Sequence, residues 1–149
     1  MPSEWEVKEP KNDDEYFERM SRALFQSGLN WKIIENKWPN FQKSFARFSI
    51  EKVSRFGEKE AKMLVKDSGI VRNERKIRSV IANAQEFLRV RKEFGSFNNY
   101  LQSFGGKHER LVSDLKERFR HLGVSTARMF LYMSGVKLVP TPEEKLWQS

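Results

Sequence analysis

Between Lys66 and Ala84 the chain reads KDSGIVRNERKIRSVIANA, and its basic residues are grouped where they could hold an anion. Ser68, Gly69, Val71, Arg72, Asn73, Arg75 and Lys76 surround a turn between two stretches of helical periodicity. Asn73 is a good first cap for the second stretch, and a helix start leaves the backbone N–H groups of its opening turn without helical partners. Those groups and the positive end of the helix dipole favour an anion, to which Arg72, Arg75 and Lys76 add charge. The chemistry in reach is a grip on the phosphates of a DNA backbone. The competing reading is an ordinary helix end followed by a solvated basic face. Gly69 is expected where the turn needs a residue free to take positive φ.

Little else in the chain could do chemistry by itself. There is no cysteine, which excludes disulfides and thiolate metal sites. His108 and His121 are the only histidines, too few for a histidine-based zinc cluster. No Walker, dinucleotide, nucleophile-elbow or HExxH pattern occurs, and Gly105-Gly106-Lys107 is too short for a nucleotide loop. No metal and no cofactor are expected. The 149 residues carry 28 Lys and Arg against 20 Asp and Glu, a net charge of +8, and this balance favours a polyanionic partner. No run approaches the roughly 20 apolar residues needed to cross a bilayer. The opening MPSEWEVKEP lacks the apolar core of a signal peptide. The expectation is a soluble protein of the cytoplasm, associated with the nucleoid, with no membrane partner.

The elements that must position the basic turn are all helical. Residues 1–11 read as an arm with Trp5 as an anchor, residues 12–136 as one domain, and residues 137–149 as a tail that leaves the fold at Val136. Asn12 with Glu15 has the pattern of a capping box, and the helix behind it runs to Gly28. Asn30 caps a helix from Trp31 that should stop near Trp38, since Pro39 disfavours α geometry in the residue before it. Pro39 then opens a further helix carrying Phe41, Phe45 and Phe48. Ser49 starts a short helix to Val53, and Glu58–Lys66 forms the first arm of the hairpin. The second arm, Asn73 to Lys92, buries Ile77, Val80, Ile81, Ala84 and Leu88 at helical spacing and ends at Gly95. Phe97–Phe104, Ser113–Leu122 and Ser125–Ser134 complete the set. The last of these, with ARMFLYM, is apolar on nearly all sides and should be central. The fold class is all-α, a helical bundle with a helix-hairpin-helix motif.

Taken together, QSGLNW (26–31), KDSGIVRNERKI (66–77), IANA (81–84) and FRHLGVST (119–126) resemble the DNA-3-methyladenine glycosylase I family of the helix-hairpin-helix glycosylase superfamily. The resemblance covers roughly residues 13–136. It implies a monofunctional enzyme of base-excision repair, working as a monomer on double-stranded DNA with an alkylated base. Such an enzyme extrudes a 3-methyladenine-like purine and hydrolyses its N-glycosidic bond. By the same resemblance Gln26, Gly28 and Leu29 form the wedge that enters the duplex. Trp31, Ala23 and Tyr16 belong to the base pocket, with Trp31 stacked on the flipped base. Without the family, Trp31 reads as core.

Three family features are missing. The glutamate eight residues before the pocket tryptophan is replaced by Ala23, the zinc site of two cysteines and two histidines cannot form, and the segment bearing a pocket tyrosine is truncated. In the wider superfamily a carboxylate a little under 20 residues beyond the hairpin supports the developing sugar cation, which makes Glu93 the nearest candidate for a catalytic role. Glu86 lies on the same helix, solvated ion pairs are the competing explanation for both, and Glu18 on the first helix is a comparable outsider. The loss at Ala23 leaves two outcomes open: a glycosylase with altered base preference, or a helix-hairpin-helix protein that binds duplex or damaged DNA without cutting it.

Overall fold

The computed structural model describes residues 7–145; residues 1–6, including Trp5, and 146–149 lie outside the described residues. The described residues form helices only: α1 (Asp13–Gln26), α2 (Trp31–Ser44), α3 (Ile50–Val53), α4 (Glu58–Val65), α5 (Glu74–Phe94), α6 (Phe97–Gln102), α7 (His108–Arg118) and α8 (Val124–Met133). None of them is long and apolar enough to cross a membrane.

The helix α1 is the axis of the bundle, packed against α8, α5 and α2. Asn12 starts it by accepting the Glu15 N–H at 3.0 Å, while the Glu15 carboxylate takes the N–H of Lys11 rather than that of Asn12. Its apolar positions are buried nearly all round, with Phe17, Met20, Leu24 and Phe25 wholly out of solvent. The core they enter is aromatic. Phe17 meets Phe48 and Phe87 edge-on, and Trp38 stacks on Phe48 at 5.1 Å and on Phe41 at 5.0 Å. Fully burying a ring of this size contributes about 1.5–3 kcal/mol. As expected, α8 is central, with Ala127, Phe130, Leu131 and Met133 buried.

The chain departs from the expected elements in a few places. α2 does not stop at Trp38 but runs through Pro39 to Ser44. Pro39 has no N–H for the Glu35 carbonyl, yet Ile34, Trp38 and Phe41 lie on one face and all are buried, so packing carries the helix past the missing bond. No helix starts at Pro39: Phe45 ends α2 and Phe48 lies in a tight left-handed turn in which Ala46, Arg47 and Phe48 have φ of 52°, 54° and 55°. Left-handed backbone costs about 1–2 kcal/mol per L-residue, offset here by the buried rings of Phe45 and Phe48. α7 begins at His108, five residues before Ser113.

The ends are tied in. Arg19, buried in α1, donates to the carbonyls of Lys8 at 2.7 Å and Met133 at 2.6 Å. Gly135 has φ +82°, and a Cβ there would stand 3.0 Å from the Glu9 nitrogen, so the arm can lie close against it. Nor does the chain leave the fold at Val136. Arg128 holds both carboxylate oxygens of Glu144 at 2.6 and 2.8 Å and donates to the Val139 carbonyl at 2.8 Å. That guanidinium keeps the Glu144 carboxyl below its ordinary value.

Candidate functional site

The hairpin is built by α4, the turn 66–73 and α5. Asn73 caps α5 by accepting the Lys76 N–H at 3.0 Å, and buried Ile70 pins the turn to the core. The turn is also wired to α2. Asp67 accepts the Ser44 hydroxyl at 2.5 Å and the Gly69 N–H at 2.8 Å, and these two bonds hold its carboxyl below the usual range. Asn40 donates to the Gly69 carbonyl at 3.1 Å.

Gly69 is not in the left-handed region. A Cβ there would lie 3.2 Å from Asp67 Oδ1 and 3.3 Å from Asn40 Nδ2, so glycine serves close approach rather than positive φ. Ser68, Arg72, Asn73 and Arg75 are exposed, and Gly69 and Val71 half-buried. Arg78 locks the hairpin by gripping Glu58 with both terminal nitrogens and Glu74 with Nε.

Lys76 does not belong to the anion-facing set. It is 5% exposed, and its ammonium donates to the carbonyls of Phe25 at 3.0 Å and Ser27 at 2.6 Å. The carbonyls at a helix C-terminus lack helical partners, and a cation there is favoured by the dipole. Lys76 thus caps the end of α1 and clamps the loop 27–30 to the first turn of α5. Burial pushes its ammonium below the ordinary lysine value.

In that loop Gly28 has φ +77°, a conformation that a side chain would strain. The Leu29 N–H closes the turn on the Gln26 carbonyl at 2.9 Å, and its side chain is 40% exposed. Asn30 caps α2 through the Lys32 N–H at 2.8 Å. Trp31, at the first position of α2, is half-buried, and the Lys32 ammonium lies 5.3 Å from the centre of its ring. The Oε1 of Gln26 is buried and has no hydrogen-bond partner among the described residues.

Other expected residues lie elsewhere. Tyr16, only 3% exposed, packs on Phe97 at 4.9 Å and Phe130 at 6.5 Å. It sits ten residues from Gln26, about 15 Å along α1 at 1.5 Å per residue, so it is not beside Trp31. Its hydroxyl is pushed up to about 12 by burial. Ala23 is buried and offers only a methyl group. Glu93 is held by Arg118 at 3.1 and 3.3 Å. It is 17 residues beyond Lys76, about 25 Å along α5, and serves an ion pair rather than chemistry at the hairpin. Glu86 joins the same arginine. Glu18 accepts the indole N–H of Trp38 at 2.7 Å and the Gln42 amide at 2.9 Å, a structural role.

Sequence reasoning missed the second basic turn beside the hairpin. Buried Asn83 donates to the Arg120 carbonyl at 3.1 Å and accepts its N–H at 2.7 Å, holding the turn where His121 has φ +58°. Arg75, Arg78, Ser79, Ala82, Arg120 and His121 line one cleft. Burial, then Lys76 and Arg75, push the His121 imidazole below its ordinary value. The signal was the asparagine of IANA, a polar residue on the buried face of α5.

A model of the methyladenine glycosylase family matches residues 2–133 of the chain. The chain belongs to that family. It is 31% identical over 102 residues to DNA-3-methyladenine glycosylase 1 of Escherichia coli, a match covering 68% of this chain and 54% of the relative. The chain thus spans about half the length of the curated relatives it matches. A crystal structure of 3-methyladenine DNA glycosylase I superposes with a TM-score of 0.79 at 23% identity, over 87% of this chain and 82% of the other. A variant of 3-methyladenine DNA glycosylase I in complex with 3-methyladenine also gives 0.79, at 22% identity, over 93% of this chain and 87% of the other. At these identities the superpositions establish the fold.

Proposed function

We propose that this protein is a monofunctional DNA glycosylase of base-excision repair. It flips an alkylated, 3-methyladenine-like purine out of duplex DNA and hydrolyses the bond to the sugar, acting in the cytoplasm as a monomer. The observation that carries this reading is the Lys76 clamp. One buried ammonium joins the end of α1 to the start of α5, so the loop that carries Leu29 and leads into Trp31 is fixed to the helical turn that bears Arg75. A helix-hairpin-helix grip, an apolar wedge and a stacking ring are the three parts base extrusion needs.

The chemistry explains how such an enzyme could work with Ala23. An N3-alkylated adenine in DNA carries a positive charge. When the glycosidic bond breaks, its electron pair moves onto the base and neutralises that charge. Water then adds to the sugar cation and loses its proton to solvent. No acid has to protonate the leaving base, so the pocket need only bind and orient it. The buried methyl of Ala23 favours the alternative, a helix-hairpin-helix protein that binds DNA and releases no base.

Incubation with methylated duplex DNA, followed by chromatography of free bases and an assay for abasic sites, separates the two. Release of 3-methyladenine with one abasic site per base is expected; intact binding without release would leave the binding module. The grip is tested separately. Arg72→Ala with Arg75→Ala should weaken binding to any duplex sequence, and log K against log salt should flatten by about 0.9 for each phosphate no longer neutralised. An unchanged slope in a salt series by fluorescence anisotropy would remove these residues from the backbone grip.

A further inference from the structure

Glu35 lies one helical turn beyond Trp31 on the same face of α2. Its side chain is 20% exposed, its Oε2 is buried, and among the described residues that oxygen has no hydrogen-bond partner. Its Oε1 stands 3.5 Å from the Lys32 ammonium, the same ammonium that lies 5.3 Å over the Trp31 ring. A cation therefore already sits between an indole and a carboxylate. The hold on it is loose: the lysine is 54% exposed, and 3.5 Å is longer than a good charge-assisted hydrogen bond.

Among the described residues nothing else uses Glu35. The side chain is absent from the ion-pair networks of Arg78, Arg118 and Arg128, and it receives no backbone N–H. A buried acceptor without a donor is costly. A carboxylate with an unfilled acceptor, a ring face and a displaceable cation are all satisfied by one kind of ligand: a flat, positively charged ring bearing N–H donors.

We propose that Glu35 is a specificity-determining residue, whose carboxylate, with the Trp31 ring, seats a cationic N-alkylated purine in the place that the Lys32 ammonium occupies in the free protein. The inference rests on the glycosylase reading for the origin of the purine, but not for the chemistry of the seat. It also fixes what Glu35 contributes. The base loses its positive charge as the bond breaks, so a carboxylate beside it stabilises the bound substrate at least as much as the transition state. Such an interaction lowers KM and does not raise kcat. Between neutral and charged purines it discriminates by about tenfold or more, the scale of a ring–cation contact and one charge-assisted hydrogen bond.

The experiment compares the wild type with Glu35→Gln and Lys32→Ala in two assays. In the first, release of base from methylated DNA, Glu35→Gln should raise KM about tenfold or more, with kcat held or increased and affinity for undamaged duplex unchanged. In the second, tryptophan fluorescence is titrated with 7-methylguanosine and with guanosine, using Trp31→Phe to isolate the responding ring among the four tryptophans. The wild type should prefer the charged nucleoside, Glu35→Gln should lose that preference, and Lys32→Ala should keep or strengthen it. A wild-type KM in Glu35→Gln overturns the proposal, as does loss of the preference in Lys32→Ala, since the lysine would then be part of the seat. If the wild type releases no base yet prefers 7-methylguanosine through Glu35, the glycosylase reading falls and the seat stands. If it shows no such preference, the seat falls whatever the release assay gives.

Discussion

Lys76→Met should lower the melting temperature by about 5–10 °C and reduce base release well beyond what the loss of folded protein explains. Methionine matches the length of the lysine stem but donates nothing, so the carbonyls of Phe25 and Ser27 lose their donor. An unsatisfied buried carbonyl costs about 1–3 kcal/mol. The Ser27 end is half-exposed and regains water, which leaves a net cost of about 2–3 kcal/mol, and each kcal/mol moves the midpoint of a domain this size by about 2–4 °C. The pH dependence carries a second signature. Burial lowers the folded pKa of Lys76 from 10.5, so between the lowered value and 10.5 the unfolded chain binds more protons than the folded one. Stability from this group therefore rises with pH through that alkaline window, and the variant should lack the rise. Hydrogen exchange at Ser27 to Leu29, measured well below the melting range, should quicken in the variant. Unchanged exchange would mean that the clamp does not hold the loop.

Lys76 also illustrates what the sequence can and cannot say. Caps are legible because the donor and acceptor are three residues apart or fewer: Asn12, Asn30, Ser49 and Asn73 each accept an N–H within their own turn. Turns closed by Gly28 and Gly95, both at positive φ, are legible for the same local reason. Where the sequence misleads, the partners lie far along the chain. Lys76 reads as one more cation in a basic run until α1 delivers two carbonyls 49 and 51 residues away. Pro39 reads as a stop until Trp38 and Phe41 are seen stacked. Gly69 reads as a φ requirement, whereas the constraint is the close approach of Asp67 and of Asn40, the latter 29 residues upstream. Tyr16 and Glu93 are singled out by resemblance and spacing, neither of which reports which end of a long helix a side chain serves.

Ala23 shifts the work of the proposed site. A pocket that donates no proton and supplies no carboxylate from α1 must discriminate by charge and stacking, which suits a leaving group that is already cationic and excludes a neutral one. Normal adenine would need its departing electrons neutralised by an acid, and the side chains gathered near Trp31 offer a lysine and a carboxylate instead. Activity should accordingly be confined to alkylated purines.

Trp31→Ala should abolish detectable base release while leaving the fold and the affinity for duplex DNA nearly unchanged. The separation follows from the position of the residue. Trp31 is the first residue of α2 and is half-buried. The helix keeps its Asn30 cap and gains the best helix former, so the expected stability change is under about 1 kcal/mol. The phosphate contacts proposed for Arg72 and Arg75 lie on another element and remain. What disappears is the face against which an extruded base can rest. Stacking on an aromatic side chain is worth about 1–3 kcal/mol per base, and a cationic base adds ring–cation attraction of about 0.5–2 kcal/mol. Together these amount to about ten- to several-thousand-fold in kcat/KM, enough in the upper part of that range to take base release below background. Trp31→Phe, which keeps a smaller ring, should retain part of the rate. Single-turnover excision, melting curves and anisotropy on the same preparations decide the matter: if Trp31→Ala releases base at the wild-type rate, the base does not stack on this indole, and both the glycosylase site and the seat beside Glu35 must be sought on another face of the bundle.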